Sequence, residues 1–162
     1  MSSMHQAYVA LGANLGDAHA TVRAALDRLD HLDATRLVAA SSIYRTAPVG
    51  CVHQPDFFNA VARLETRLEP QGLLAALLAL EADFGRTRRA KNDPRTLDLD
   101  LLLFDDLTLN LPSLTLPHPR LHLRAFVLVP LAEIAPDLVL PGRGNLCAWL
   151  PAVANQSVTR LP

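Results

Sequence analysis

The chain has 162 residues, half of them apolar, enough for one good hydrophobic core, and the ordinary domain size leaves no room for a second. Lys and Arg number 15 against 16 Asp and Glu, a net charge of −1, so no global positive field recruits nucleic acid or an anionic membrane. Two cysteines, Cys51 and Cys147, lack metal-ligand spacing and cannot make a disulfide framework; with no signal-type N-terminus and no run near the roughly 18 apolar residues of a membrane span, a single cytoplasmic domain over 1–162 is expected.

In chain order, the apolar run 7–11 reads as a buried central strand, closed by a turn over Gly12-Ala13-Asn14-Leu15-Gly16-Asp17 in which Gly12 and Gly16 supply the tight geometry. Asp17 can cap the following helix, where Val22, Ala25, Leu26, Leu29 and Leu32 recur at helical spacing. Residues 37–46 are β-rich, 47–55 are broken by two prolines and a glycine, and 57–66 form the next strand. A second helix is expected from Pro70, a favoured first-turn residue, to a stop at Gly85. After a basic loop over 86–94, a strand is expected over 96–104 and a hairpin and loop up to Pro119. Residues 125–135 read as a helix, with Pro130 implying a kink or a start near Val129; a short helix over 146–153 and a strand over 157–161 complete the chain. The order β-α-β-β-α-β is that of a ferredoxin-like plait, an α+β fold with its helices on one face of an antiparallel sheet. No amphipathic element is left over, so a monomer is expected.

The most specific local pattern is Pro94-Arg95-Thr96-Leu97-Asp98-Leu99-Asp100-Leu101. Strand alternation sends the three leucines into the core and leaves Thr96, Asp98 and Asp100 on one face, the two carboxylates about 7 Å apart at their Cα atoms. Neighbouring anions repel unless a cation sits between them, and hard oxygen donors that leave room for water and phosphate suit Mg²⁺. Alone, such a pair is better read as the exposed polar face of an edge strand, and it is the surrounding residues that reverse that preference. Arg86, Arg88, Arg89, Lys91 and Arg95 crowd the preceding loop, and metal plus guanidinium is what a polyphosphate requires. On 57–64, alternation sets Phe57 and Asn59 side by side, a ring and an amide able to stack on and hydrogen-bond a flat heterocycle. Pro117-His118-Pro119-Arg120-Leu121-His122-Leu123-Arg124 brings further cations to a helix start, where phosphate is a natural guest. The glycine loop at 12–16 matches neither common phosphate-binding fingerprint.

Together, YVALGANLGD, SSIYRTAPVG, QPDFFNAV, LEADFGRTRR, PRTLDLDLLLFDD and LPHPRLHLRAFVLVPLAEIAPD resemble the 6-hydroxymethyl-7,8-dihydropterin pyrophosphokinase family over nearly the whole chain. The resemblance implies an α+β plait and transfer of the terminal diphosphate of ATP to a hydroxymethyl-dihydropterin in folate biosynthesis. It implies that Asp98 and Asp100 hold two Mg²⁺ ions with ATP, that Phe57 and Phe126 sandwich the pterin, and that Asn59 reads the pterin edge. Thr46, Ala47 and Val49 fall where the family's loop meets the pterin. Arg86 and Arg95 match catalytic phosphate-binding arginines, with Arg88 a weaker partner. His118 and Arg124 match further ATP contacts, and Glu81, Leu101 and Thr115 lie where the nucleoside is held. The 86–94 loop lacks the Trp that some members place there, and Leu78 replaces a polar Gln. Two other readings of the same residues are a ferredoxin-like module binding RNA or a regulatory ligand, and a metal-dependent phosphohydrolase.

Overall fold

Strand β1, His5–Ala13, pairs antiparallel with β4, Phe57–Thr66, on one side and with β5, Asp98–Phe104, on the other, so it is an interior strand of the sheet. It is longer than the apolar run 7–11, because Gly12 and Ala13 still pair with Asn59 and Phe58. Of the two glycines expected in the turn, Gly16, at φ +59°, takes the left-handed geometry and Gly12 does not. The Asp17 carboxylate accepts the Ala20 N–H at 3.1 Å and caps helix α1, Ala18–Leu29, which buries Ala18, Val22, Ala25 and Leu29. The computed structural model describes residues 3–46, 55–85 and 96–162.

The single strand expected over 37–46 is two: β2, Thr35–Ala40, and β3, Tyr44–Thr46, lie in succession along the same edge of β4. Serine hydroxyls cause the break by competing for backbone groups. Ser41 Oγ accepts the Val61 N–H at 2.9 Å, and Ser42 turns its N–H and hydroxyl to Glu133. Helix α2, Pro70–Asp83, begins on its proline, buries Leu73, Leu77 and Leu80, and gives way to Gly85 at φ +80°. In β5 the register shifts so that Leu102 is an extra residue opposite β1; the bulge turns Leu102 and Leu103 to one face while Leu99, Leu101 and Phe104 keep the other. A small hairpin follows, β6 at Leu109–Leu111 and β7 at Leu114–Leu116.

Helix α3, Ala125–Ile134, contains Pro130, so the later start near Val129 does not occur. The tail holds the short pair β8, Val139–Leu140, and β9, Gly144–Asn145, then two 3-10 turns at Leu146–Trp149 and Pro151–Val153 where one short helix was expected. It closes with β10, Thr159–Arg160, which pairs with β3. The main sheet thus runs β5-β1-β4, with β2 and β3 beside β4 and β10 beyond β3. The elements β1, α1, β2, β4, α2 and β5 make the expected plait, with α1 and α2 covering one face.

The expectation that all helices share that face does not hold. Helix α3 covers the opposite side, packing Ala125, Val127, Leu128 and Leu131 on Tyr8, Val61, Leu102 and Leu103. Its sequence is apolar almost all round, so it needs cover on more than one side, and the sheet together with the C-terminal tail provides it. Among the described residues no helix is long and apolar enough to cross a membrane.

Candidate active site

The sheet face under α3 carries Thr46, Phe57, Asn59, Asp98 and Asp100, and strand register is what gathers them. Tyr44, Asn59, Gly12 and Asp98 lie directly opposite one another across β3, β4, β1 and β5, and Val61, Ala10 and Asp100 form the next row. Opposed residues project to the same side, so Asn59 and the two carboxylates share one surface, with Phe57 beside Asn59 two positions along β4. Asn59 and Asp98 are two strand spacings apart, about 10 Å. The alternation expected for 97–101 is present: Leu97, Leu99 and Leu101 are buried under α2, while Asp98 and Asp100 are partly exposed on the other side. Strand β5 begins at Asp98 rather than Thr96.

Gly12 was expected in a turn and instead stands between Asn59 and Asp98. A Cβ there would come within 2.9 Å of Asn59 Oδ1, closer than real contacts allow. The glycine therefore leaves room for Asn59 Oδ1 on the β1 side, while Nδ2 donates to Thr46 Oγ1 of β3 at 3.1 Å. Both Asn59 and Thr46 are buried, so this bond fixes the amide's orientation. Facing the carboxylates, β1 presents only Gly12 and Ala10, the two smallest residues, and leaves space above Asp98 and Asp100. Two hard oxygen donors with open room beside them suit a cation such as Mg²⁺ that keeps waters and takes phosphate oxygens.

Along the outer edge of β5 runs a cleft of about 600 Å³ between α2, the β6–β7 hairpin and His118. Glu81, Leu101, Thr115 and His118 line it, and so does Asp100, so the residues expected around a nucleoside open onto the same space as one of the carboxylates. Leu78 lines it too, as do Pro112, Ser113 and Pro119, which strand and helix patterning gave no reason to select. Buried Glu81 accepts the Leu99 N–H at 2.6 Å and so ties α2 to β5 directly behind the two aspartates.

His118 is held near neutrality by its surroundings. Burial first, then the Arg124 and Arg120 guanidinium groups, push its pKa down to about 4 against the opposing pull of Asp98. Its Nδ1 accepts the Arg120 N–H at 3.2 Å, which leaves Nε2 to carry the ring proton. Arg124 stands at the N-cap of α3 with its guanidinium 5.5 Å from the centre of the Phe126 ring. Gln156 from the tail accepts the Ala125 N–H at 2.9 Å and donates to Leu123 O at 3.0 Å, closing the helix start. At the other end of α3, Glu133 gathers Ser42, Tyr44 and Arg160. Burial opposes its charge, but hydrogen bonds from Tyr44 and Ser42 and the nearby Arg160 outweigh that and hold its pKa below the usual Glu value.

Sequence patterning singled out neither Glu133 nor Gln156, whose partners come from distant segments. The Ala47, Val49, Arg86, Arg88 and Arg95 expectations lie outside the described residues, as do Arg89 and Lys91.

A family model described as 7,8-dihydro-6-hydroxymethylpterin-pyrophosphokinase (HPPK) matches residues 8–136. The chain is 48% identical over 159 residues to a 2-amino-4-hydroxy-6-hydroxymethyldihydropteridine pyrophosphokinase of Pseudomonas aeruginosa, covering 98% of each chain. To the protein of the same name from Haemophilus influenzae it is 42% identical, covering 98% of this chain and 99% of that one. Among solved structures, the wild-type Plasmodium falciparum HPPK-DHPS with pterin and p-hydroxybenzoate superposes with a TM-score of 0.75 at 14% identity, a likeness of fold that spans 95% of this chain and 44% of that one. The chain belongs to the 7,8-dihydro-6-hydroxymethylpterin-pyrophosphokinase family.

Proposed function

We infer that this chain is a 2-amino-4-hydroxy-6-hydroxymethyldihydropteridine pyrophosphokinase, transferring the β,γ-diphosphate of ATP to the 6-hydroxymethyl group of 6-hydroxymethyl-7,8-dihydropterin and releasing AMP, in folate biosynthesis. Beyond family membership, the reading is carried by the row Asn59, Gly12, Asp98, which sets a heterocycle-reading amide and a carboxylate on one surface with nothing but a glycine between them, and Asp100 follows in the next row.

The pterin would stack between Phe57 and Phe126, its edge on the Asn59 amide and its loop contacts from Thr46, Ala47 and Val49. Glu81, Leu101 and Thr115 would surround the nucleoside in the cleft along β5. His118 would offer its Nε2–H to a phosphate without adding full charge, while Arg124 and the loop arginines Arg86, Arg88 and Arg95 would supply the positive charge. Asp98 and Asp100 would hold Mg²⁺, two ions with ATP. When bound, that metal neutralises polyphosphate charge and makes the attacking hydroxyl more acidic. The hydroxymethyl oxygen then bonds to the β-phosphorus, the bond from that phosphorus to the α-phosphate oxygen breaks, and the hydroxyl gives up its proton. The chain's part is alignment and charge stabilisation. A half-apolar chain of 162 residues supports one domain over 1–162, and a cytoplasmic monomer belongs to the same proposal.

Incubation with ATP, Mg²⁺ and the reduced hydroxymethylpterin should yield AMP and the pterin diphosphate in equal amounts. Release of inorganic phosphate without a pterin product would point to a phosphohydrolase, and no turnover of ATP at all would point to a binding module.

A further inference from the structure

At the end of α3 away from Phe126, donors from three segments converge on one carboxylate. Glu133 accepts the Ser42 N–H at 3.0 Å, the Ser42 hydroxyl at 2.9 Å and the Tyr44 hydroxyl at 2.6 Å, with Arg160 Nη2 3.7 Å away. The donors belong to the break between β2 and β3, to β3 and to β10. Hydrogen bonds to an ionised acceptor are about twice as strong as neutral ones, so this is a firm attachment of the helix to the sheet edge.

Two further facts connect the attachment to the site. Tyr44 is the register partner of Asn59, and Thr46, next on the same side of β3, is the partner of Phe57 and holds the Asn59 amide. The strand that Glu133 grips therefore flanks both residues of β4 that would meet the pterin. On α3, Phe126 and Glu133 are seven residues apart, about two turns, and so leave the same side of the helix about 10 Å apart along its axis. Pinning the helix at Glu133 fixes the height at which it carries Phe126.

We propose that Glu133 is a positioning residue which, through Ser42 and Tyr44, sets the height of α3 over β3 and β4 and thereby the width of the slot between Phe126 and Phe57. The proposal rests on the reading of that slot as the pterin site. A carboxylate suits 133, because a Gln would lose the charge that strengthens these bonds and faces Arg160, and an Asp would fall short by one methylene.

Calorimetry on the full chain tests this, with 6-hydroxymethylpterin titrated into protein saturated with Mg²⁺ and a non-hydrolysable ATP analogue, and the analogue titrated separately. Glu133→Gln and Glu133→Asp should each raise the pterin Kd roughly tenfold while the analogue's Kd stays within about twofold, and in turnover the pterin KM should rise more than kcat falls. Tyr44→Phe, which loses one hydroxyl from the cluster, should shift the pterin Kd by about threefold and keeps the comparison available should Glu133→Gln fail to fold. A lowered melting temperature with both Kd values unchanged, or equal weakening of both ligands, would overturn the proposal. Phe57→Ala is the control for the slot. If it binds pterin as wild type does, the slot reading fails and the proposal with it; if it loses affinity while the Glu133 and Tyr44 variants do not, the proposal alone fails.

Discussion

Gly12 shows how one missing side chain can serve a surface. The nearest atom to a Cβ at that position is the far end of the Asn59 side chain, which can rotate away, so the cost of Gly12→Ala falls on orientation more than on packing. The displaced amide loses its bond to Thr46, a loss of about 1 kcal/mol on the usual scale for a hydrogen bond. We expect Gly12→Ala to lose about 1 kcal/mol of stability, to bind ATP normally and to bind the pterin more weakly; unchanged pterin binding by calorimetry would mean that Asn59 does not read the pterin edge. The aspartates call for a different signature. If Asp98 and Asp100 hold Mg²⁺, Asp98→Asn or Asp100→Asn should lower turnover 10²-fold or more, about 2.7 kcal/mol of barrier. Full activity in both variants would remove the metal assignment, and a lower melting point with proportionate loss of activity would favour a structural pair.

Elements were legible in the sequence wherever pattern and punctuation agreed. Strand β4 spans the expected 57–66, and α2 starts at its proline and ends before its glycine, because apolar spacing, Pro70 and Gly85 all mark the same boundaries. The break between β2 and β3 was not legible, since it depends on Ser42 finding a carboxylate 91 positions away. The same holds for α3, whose position on the second face is decided by Leu102 and Leu103 turning together at a bulge that a run of three leucines conceals. Between elements, Glu81 is the link most open to test. Its carboxylate accepts the Leu99 N–H from within a buried setting, and truncation leaves that N–H without its partner. Glu81→Ala should therefore cost about 1–3 kcal/mol in denaturant melts and raise the KM for ATP, as α2 loosens from the strand that carries Asp98 and Asp100. Wild-type stability in that variant would show that α2 is held to β5 by its leucines alone.

The whole molecule is three layers, and its two cores divide the work. Leucines of α1 and α2 bury one face of the sheet, while the other is shared between the α3 core and the open end where Phe57, Asn59, Asp98 and Asp100 meet. Alternation along single strands was enough to assign the carboxylates and the Phe57–Asn59 pair to faces, but only pairing across the three strands β4, β1 and β5 brings those faces together, and that is a property of the sheet and not of any segment. Stability should follow the same third layer, because α3 is fastened through groups that titrate at both ends of the pH scale. Glu133 has its folded pKa below the ordinary value of 4.5, so its contribution is present above that value and is lost as pH falls through the folded one. Tyr44 is pushed up to about 12, by burial first and then by Glu133, so its contribution is present below pH 10 and is lost as pH rises from 10 to 12. The wild type should thus exceed Tyr44→Phe in stability by a margin that is flat through the neutral range, shrinks below about pH 4.5 and shrinks again above pH 10. Urea melts of both proteins from pH 3 to pH 12 measure that margin directly, and a margin that stays constant across the whole range would show that the hydroxyl contributes by packing and not through its bond to Glu133.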